Sequence, residues 1–159
     1  GFAPENPFSK IDVKRNSTIL FADDSDDEVI IVESAFEQAG WNAPLMRVAN
    51  GKEAIAYLEG KGNYVDRKKF PYPLFLLLDL WMPGVGGLEV LKWIRSSPIH
   101  RRLPVFVLTS EAAGAMAKRV YDLGANSLLA KPKNFEETVK MAEGLKSYLG
   151  VIQLPPSPE

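Results

Sequence analysis

The chain has 159 residues, and its 46% hydrophobic and 25% charged content is typical of a globular protein. A formal net charge of −1 argues against nucleic-acid or anionic-membrane partners, and the absence of cysteine excludes disulfides and thiol nucleophiles. No apolar run approaches the roughly 20 residues that a membrane helix needs. We therefore expect a soluble, cytoplasmic protein.

Composition divides the chain into three parts. Residues 1–16 predict a flexible N-terminal arm, and residues 17–150 carry the periodic apolar pattern of a single domain. Residues 151–159 form a Pro-rich tail that we expect to fray. No internal repeat and no second domain is visible.

The first predicted strand covers residues 17–22 and ends at Asp23 and Asp24. Ser25 and Glu28 then have the spacing of a capping box, which predicts the start of the first helix. In a capping box the glutamate satisfies backbone groups of the helix entrance. Taken alone, the two aspartates could be no more than an acidic helix entrance.

The central segment predicts a second strand over 44–49, a helix over 51–60 and a polar loop over 61–73. Residues 74–79 read LFLLLD, an apolar run without alternation. Such a run is typical of a central parallel strand that is buried on both faces. A buried strand that ends in one carboxylate favours a functional role, because a lone buried charge is costly.

The second half continues the alternation of strand and helix, with helices over 87–96, 111–124 and from 134 onward, and strands over 104–110 and 127–132. Five strand–helix units predict a doubly wound α/β fold with helices on both faces of a five-stranded parallel sheet. We expect the flavodoxin-like (βα)5 strand order 2-1-3-4-5.

In an open parallel sheet the functional site lies at the carboxyl ends of the strands. The predicted strands place five polar residues there, namely Asp23, Asp24, Asp79, Thr109 and Lys131. Mg²⁺ suits crowded carboxylates, because a hard divalent cation relieves their mutual repulsion. An aspartate can also be the nucleophile of phosphoryl transfer, which relies on positioning and charge neutralisation.

Four motifs carry a resemblance to a known family: ADD, LLLDLWMPG, VLTS and AKP, each at a predicted strand end. In this order they resemble the receiver domains of two-component response regulators, over about residues 17–149. Because no output domain is visible, the chain is similar to stand-alone receivers, including those that partner bacterial phytochrome kinases. The resemblance implies a signalling switch that catalyses only its own phosphorylation and dephosphorylation.

The resemblance also implies the role of each site residue. Asp79 would be the phosphoacceptor. Asp24 would bind Mg²⁺ directly, Asp23 mainly through water, and the backbone carbonyl of Trp81 would complete the metal site. The ring of Trp81 is then expected to extend over the pocket or the neighbouring surface, where it could change the lifetime of the phosphoryl group.

On the phosphoryl side, the resemblance implies that Thr109 senses the group and that Lys131 pairs with it, with a cis bond between Lys131 and Pro132. Two positions depart from the family pattern. Leu128 stands where receivers usually carry an aromatic residue, so the standard threonine-to-aromatic rearrangement cannot run. Gly86 stands where an acidic residue is common, which is expected to loosen its loop.

The expected partners are a histidine kinase or phosphotransfer protein and an unknown downstream protein, with homodimerisation possible through the fourth-helix, fifth-strand, fifth-helix face. Leu128 keeps open the alternative of a phosphorylation-independent binding module. An aspartate-dependent phosphohydrolase is disfavoured, because Trp81 stands where its second catalytic aspartate is expected. No G-x-G-x-x-G motif supports a dinucleotide site. His100 and the basic run 67–69 are interpreted as surface groups.

Overall fold

The computed structural model describes residues 18–110 and 114–158, so the predicted N-terminal arm lies outside the described residues. Strands and helices alternate along the chain: β1 Ile19–Ala22, α1 Asp26–Gln38, β2 Leu45–Val48, α2 Gly51–Glu59, β3 Leu76–Asp79, α3 Gly87–Ser96, β4 Val105–Thr109, α4 Gly114–Asp122, β5 Ser127–Ala130 and α5 Phe135–Leu149.

The five strands form one parallel sheet in the order β2-β1-β3-β4-β5, as predicted. β3 is the central strand, and all four of its residues are buried. Its register pairs Asp79 with Leu108 on β4, while Thr109 pairs with Ala130 on β5. The parallel register brings the carboxyl ends of these strands to one edge of the sheet.

The sheet separates two apolar clusters, because successive side chains of a strand point to opposite faces. Leu76 and Leu78 of β3 belong to a cluster with residues of α2, α3 and α4. Leu77 belongs to the other cluster, with residues of α1 and α5. Helices therefore cover both faces, which explains why β3 is apolar without alternation.

The segment between α2 and β3 is more ordered than a polar loop suggests, and it contains a short 3₁₀ helix at Gly62–Tyr64. Arg67 donates to the carbonyls of Tyr57 and Leu58 at 2.7 Å each and to that of Phe70 at 3.2 Å. The guanidinium thus satisfies carbonyls at the end of α2. The interpretation of Arg67 as a solvated charge is wrong.

The polar surroundings of His100 predict a surface position, and the structure corrects this prediction. The residue is 7% exposed, and its ring stacks on Trp93 at 5.3 Å and on Tyr72 at 5.7 Å. The Tyr72 hydroxyl lies 3.0 Å from Nδ1 of His100. Aromatic residues distant in sequence create this site, so its local polar sequence gave no sign of burial.

Two further expectations are corrected. The bond between Lys131 and Pro132 is trans, since no cis peptide bond occurs among the described residues; trans is also the common state of X-Pro bonds. In the tail, Ile152 and Leu154 pack against the cluster beneath α1 and α5 instead of fraying, because both are apolar.

Within the described ranges, none of the helices combines the length and the apolar character needed to cross a membrane.

Candidate functional site

Asp79 ends the central strand and is 3% exposed. Its Oδ1 accepts a hydrogen bond from the amide of Trp81 at 3.3 Å and lies 3.3 Å from Nζ of Lys131. Burial raises the pKa of the Asp79 carboxyl, and the charge of Lys131 opposes that effect. The carboxylate is therefore held in a weakly solvated position beside one cation.

The turn from β1 to α1 brings a second carboxyl to the same place. Asp23 is 1% exposed, and its Oδ1 accepts a hydrogen bond from the amide of Ser25 at 2.8 Å. The Ser25 hydroxyl in turn accepts from the amide of Glu28 at 3.3 Å and caps α1. Arg47 fixes the turn from the neighbouring strand, donating through Nε to the carbonyl of Asp23 at 2.9 Å.

Lys131 follows β5, and its amide donates to the carbonyl of Thr109 at 2.9 Å. Its Nζ lies 2.8 Å from Glu28, 3.3 Å from Asp79 and 3.7 Å from Asp23. Burial alone would lower the pKa of Lys131, but the three carboxylates raise it overall. Lys131 is therefore a permanently charged counter-ion of the site.

Asp23, Glu28 and Asp79 form what we call the acidic cluster: each contributes a carboxylate oxygen, and these oxygens lie within 4.8 Å of one another. Burial and a side-chain hydrogen bond with Glu28 raise the pKa of Asp23 to about 7. The same hydrogen bond lowers the pKa of Glu28. Three crowded carboxyl groups around one ammonium fit a hard divalent cation, whose charge would relieve their repulsion.

The structure thus brings together three of the predicted site residues, Asp23, Asp79 and Lys131. Thr109 is buried at the end of β4, whose neighbouring strand β3 ends at Asp79. Asp24 is exposed and is not part of the acidic cluster. The assignment of Asp24 as a direct metal ligand stays a prediction.

Sequence reasoning assigned Glu28 only to helix capping and missed its place in the site. Only the backbone amide of Glu28 takes part in the cap, as a donor to the Ser25 hydroxyl, whereas its carboxylate accepts from Nζ of Lys131. The amide of Ser25, which a capping-box glutamate would satisfy, is bonded to Asp23. The sequence does contain a signal for this outcome, because Asp23, two residues before Ser25, is a competing acceptor for the Ser25 amide.

The loop that follows Asp79 is tied to the end of its strand. The amide of Gly87 donates to the carbonyl of Leu80 at 3.1 Å, and a Cβ at Gly87 would lie 2.5 Å from the carbonyl oxygen of Asp79. Only glycine allows this approach, which ties the start of α3 to the end of β3, and the effect of Gly86 on the loop stays a prediction. The Trp81 side chain is 50% exposed beside the site, and the role of its ring stays a prediction.

Comparison with known proteins agrees with this geometry. Residues 19–143 match the family described as the response regulator receiver domain. Response regulator Rcp1 of Synechocystis is 32% identical over 138 residues, which cover 86% of this chain and 92% of Rcp1. The crystal structure of response regulator RPA3017, in red light signalling of R. palustris, has a TM-score of 0.85 at 30% identity and covers 89% of this chain and 99% of that one.

A fold of five parallel strands with an acidic cluster at their carboxyl edge agrees with a receiver of the two-component type. The chain belongs to the response regulator receiver family, and its relatives include stand-alone response regulators of phytochromes. A further similar structure is the Mn²⁺-bound form of Rcp1, with a TM-score of 0.76 and 31% identity over 87% of this chain and 99% of that one.

Proposed function

We propose that the protein is a phosphorylation-dependent switch whose phosphoacceptor is Asp79. The observation that carries the proposal is the setting of that carboxylate: it is 3% exposed, 3.3 Å from the Lys131 ammonium, and within reach of two further carboxylates. A carboxylate with a purely structural role is not expected beside two other carboxylates, because like charges in a buried site destabilise the fold. Membership of residues 19–143 in the response regulator receiver family supports the same assignment.

The proposed donor is a histidine kinase or a phosphotransfer protein, which is supported by a similar regulator of red light signalling and by a similar phytochrome response regulator whose structure is phosphorylated. An oxygen of Asp79 attacks phosphorus and forms the new P–O bond as the P–N bond to the donor histidine breaks. The imidazole nitrogen keeps the bonding electron pair. Lys131 neutralises charge on the phosphoryl oxygens, and the Thr109 hydroxyl is the expected donor to one of them.

Mg²⁺ is the proposed cofactor. Asp23, Asp79 and the Trp81 carbonyl would hold it, with Asp24 as the ligand that the family pattern implies. When bound, the ion would neutralise charge on the carboxylates and on the transferring phosphoryl group.

The proposed output is a change in binding at the face formed by α4, β5 and α5, to an unknown downstream protein or a second copy. A phosphorylation-independent binding module is the second candidate, and Leu128 favours it. Leu128 packs towards the core cluster, and its amide donates to the Tyr121 hydroxyl of α4 at 3.1 Å. An aromatic residue of this face therefore already contacts β5 from α4.

Acetyl phosphate with Mg²⁺, followed by intact mass, tests the proposal. The expected result is one phosphoryl adduct that requires the metal and disappears in Asp79→Asn. Asp27→Asn, an exposed aspartate on the same turn as the acidic cluster, is the matched control and should accept the group. An adduct that survives Asp79→Asn would refute the assignment. Equal partner affinity with and without the adduct would favour the binding module.

A further inference from the structure

Glu28 has a contact that neither helix capping nor the family pattern explains. Its carboxylate lies 2.8 Å from Nζ of Lys131, closer than Asp79 at 3.3 Å and Asp23 at 3.7 Å. The cation that must neutralise an incoming phosphoryl group is therefore engaged first by a residue of α1. Any phosphoryl group that arrives at Asp79 has to compete with this carboxylate for Lys131.

The position of Glu28 is fixed by local structure. Its amide is bonded to the Ser25 hydroxyl, and the Ser25 amide is bonded to Asp23, so the first turn of α1 is locked to the end of β1. The Glu28 side chain is 40% exposed, which places it at the mouth of the site and not in the core. It can therefore face both Lys131 and an approaching anion.

Two electrostatic consequences have opposite signs. A carboxylate within 4.8 Å of oxygens of Asp23 and Asp79 adds negative charge where a divalent cation would bind, and it competes with Asp23 and Asp79 for the ammonium of Lys131. Both effects favour Mg²⁺. The same carboxylate repels an anionic phosphoryl donor and occupies the cation that should meet it, and both effects slow transfer.

We propose that Glu28 is a positioning residue that holds Lys131 in the unphosphorylated protein, strengthening Mg²⁺ binding while restraining phosphoryl transfer to Asp79. This rests on the proposed function, because it assigns a restraint to that same reaction. Asp27 offers a matched control, since it is an exposed acidic residue on the same turn without a contact to Lys131 among the described residues.

The test measures two quantities on Glu28→Gln and Asp27→Asn. Mg²⁺ affinity is followed by tryptophan fluorescence, with Trp81 as the reporter next to Asp79. The rate of adduct formation from acetyl phosphate is followed by intact mass at saturating Mg²⁺. We expect Glu28→Gln to bind Mg²⁺ several-fold more weakly and to be phosphorylated several-fold faster. Asp27→Asn should match the wild type in both.

This pair of opposed shifts separates positioning from damage, because a merely distorted site would lose both affinity and rate. A slower rate for Glu28→Gln at saturating Mg²⁺, or values equal to those of Asp27→Asn, would overturn the inference. Should Glu28→Gln fail to fold, Glu28→Asp keeps the charge but shortens the reach to Lys131, and its rate should rise. A rate for Glu28→Asp no higher than that of the wild type would equally overturn it.

The two proposals fail in distinguishable ways. If the wild type forms no adduct on Asp79, the proposed function is refuted whatever Glu28 does. If the wild type forms the adduct and Glu28→Gln changes neither Mg²⁺ affinity nor rate, only the role of Glu28 is refuted.

Discussion

Lys131 and Arg95 are both cations held partly inside the protein, and their surroundings differ in kind. Lys131 faces three carboxylates at the carboxyl edge of the sheet. Arg95, at the end of α3, donates to the carbonyls of Gly124 at 2.7 Å, Leu103 at 2.7 Å and Arg101 at 2.9 Å, and to the amide oxygen of Asn126 at 3.0 Å.

Arg67 repeats the pattern of Arg95, with three carbonyls as its acceptors. Arg95 joins the end of α3 to the segments before β4 and β5, and Arg67 joins its loop to the end of α2. Every acceptor is neutral, so no like charges are brought together. The acidic cluster does the reverse: it forces carboxyl groups together and raises the pKa of Asp23 and of Asp79, largely through burial. One arrangement stabilises the fold, whereas the other holds like charges close together at a cost in stability.

The largest effect is expected at Arg95. Arg95→Met leaves four acceptors without their donor at the junction of α3 with the segments before β4 and β5, and should lower the free energy of unfolding by about 3 kcal/mol. Urea unfolding measures it, with the exposed Arg102→Met as the control that should stay within about 0.5 kcal/mol of the wild type. A loss of unfolding free energy no larger than that of the control would mean that the hydrogen bonds of Arg95 contribute nothing measurable to stability.

The acidic cluster should respond in the opposite direction. Burial raises the pKa of Asp79, so its ionised form costs stability at neutral pH, and the neutral Asp79→Asn should raise the free energy of unfolding by about 1 kcal/mol. Glu28, which lies 2.8 Å from Lys131 in the wild type, remains available as a partner of the ammonium in this variant. Thermal or urea unfolding without Mg²⁺ measures the change, and Asp27→Asn should leave it near zero. Destabilisation by Asp79→Asn would show that the carboxylate is structural.

The contrast also explains what the sequence could predict. The strand order and the place of Asp23, Asp79 and Lys131 follow from short-range patterns, because parallel strands bring their carboxyl ends to one edge. The hydrogen bonds of Arg67 and Arg95 follow from no sequence motif, since most of their acceptors are backbone carbonyls, which no side-chain pattern marks. The same limit hid the burial of His100, which depends on Tyr72 and Trp93.

Glu28 marks the boundary between these two cases. Its spacing from Ser25 predicted a capping box, and the hydroxyl-to-amide half of that motif forms at 3.3 Å. The other half fails, because the Asp23 carboxylate reaches the Ser25 amide first at 2.8 Å. A motif therefore predicted the helix start correctly, while a competing hydrogen bond decided what the glutamate side chain does.

The smallest effect concerns His100, in the loop before β4. Burial lowers its pKa in the folded protein, whereas the unfolded value is about 6.5. Above that pH the imidazole is neutral in both states. As the pH falls below it, the unfolded chain binds a proton that the folded protein resists, so His100 makes stability decline. His100→Phe keeps the stacking on Trp93 and removes the titration. The free energy of unfolding is measured in urea at pH 7.5 and at pH 5.5, each about one unit from that value. The drop in pH should cost the wild type more stability than the variant, with a difference of less than about 1 kcal/mol. Parallel pH profiles would mean that the ring is protonated equally in both states, and the aromatic setting of His100 would then not exclude the charge.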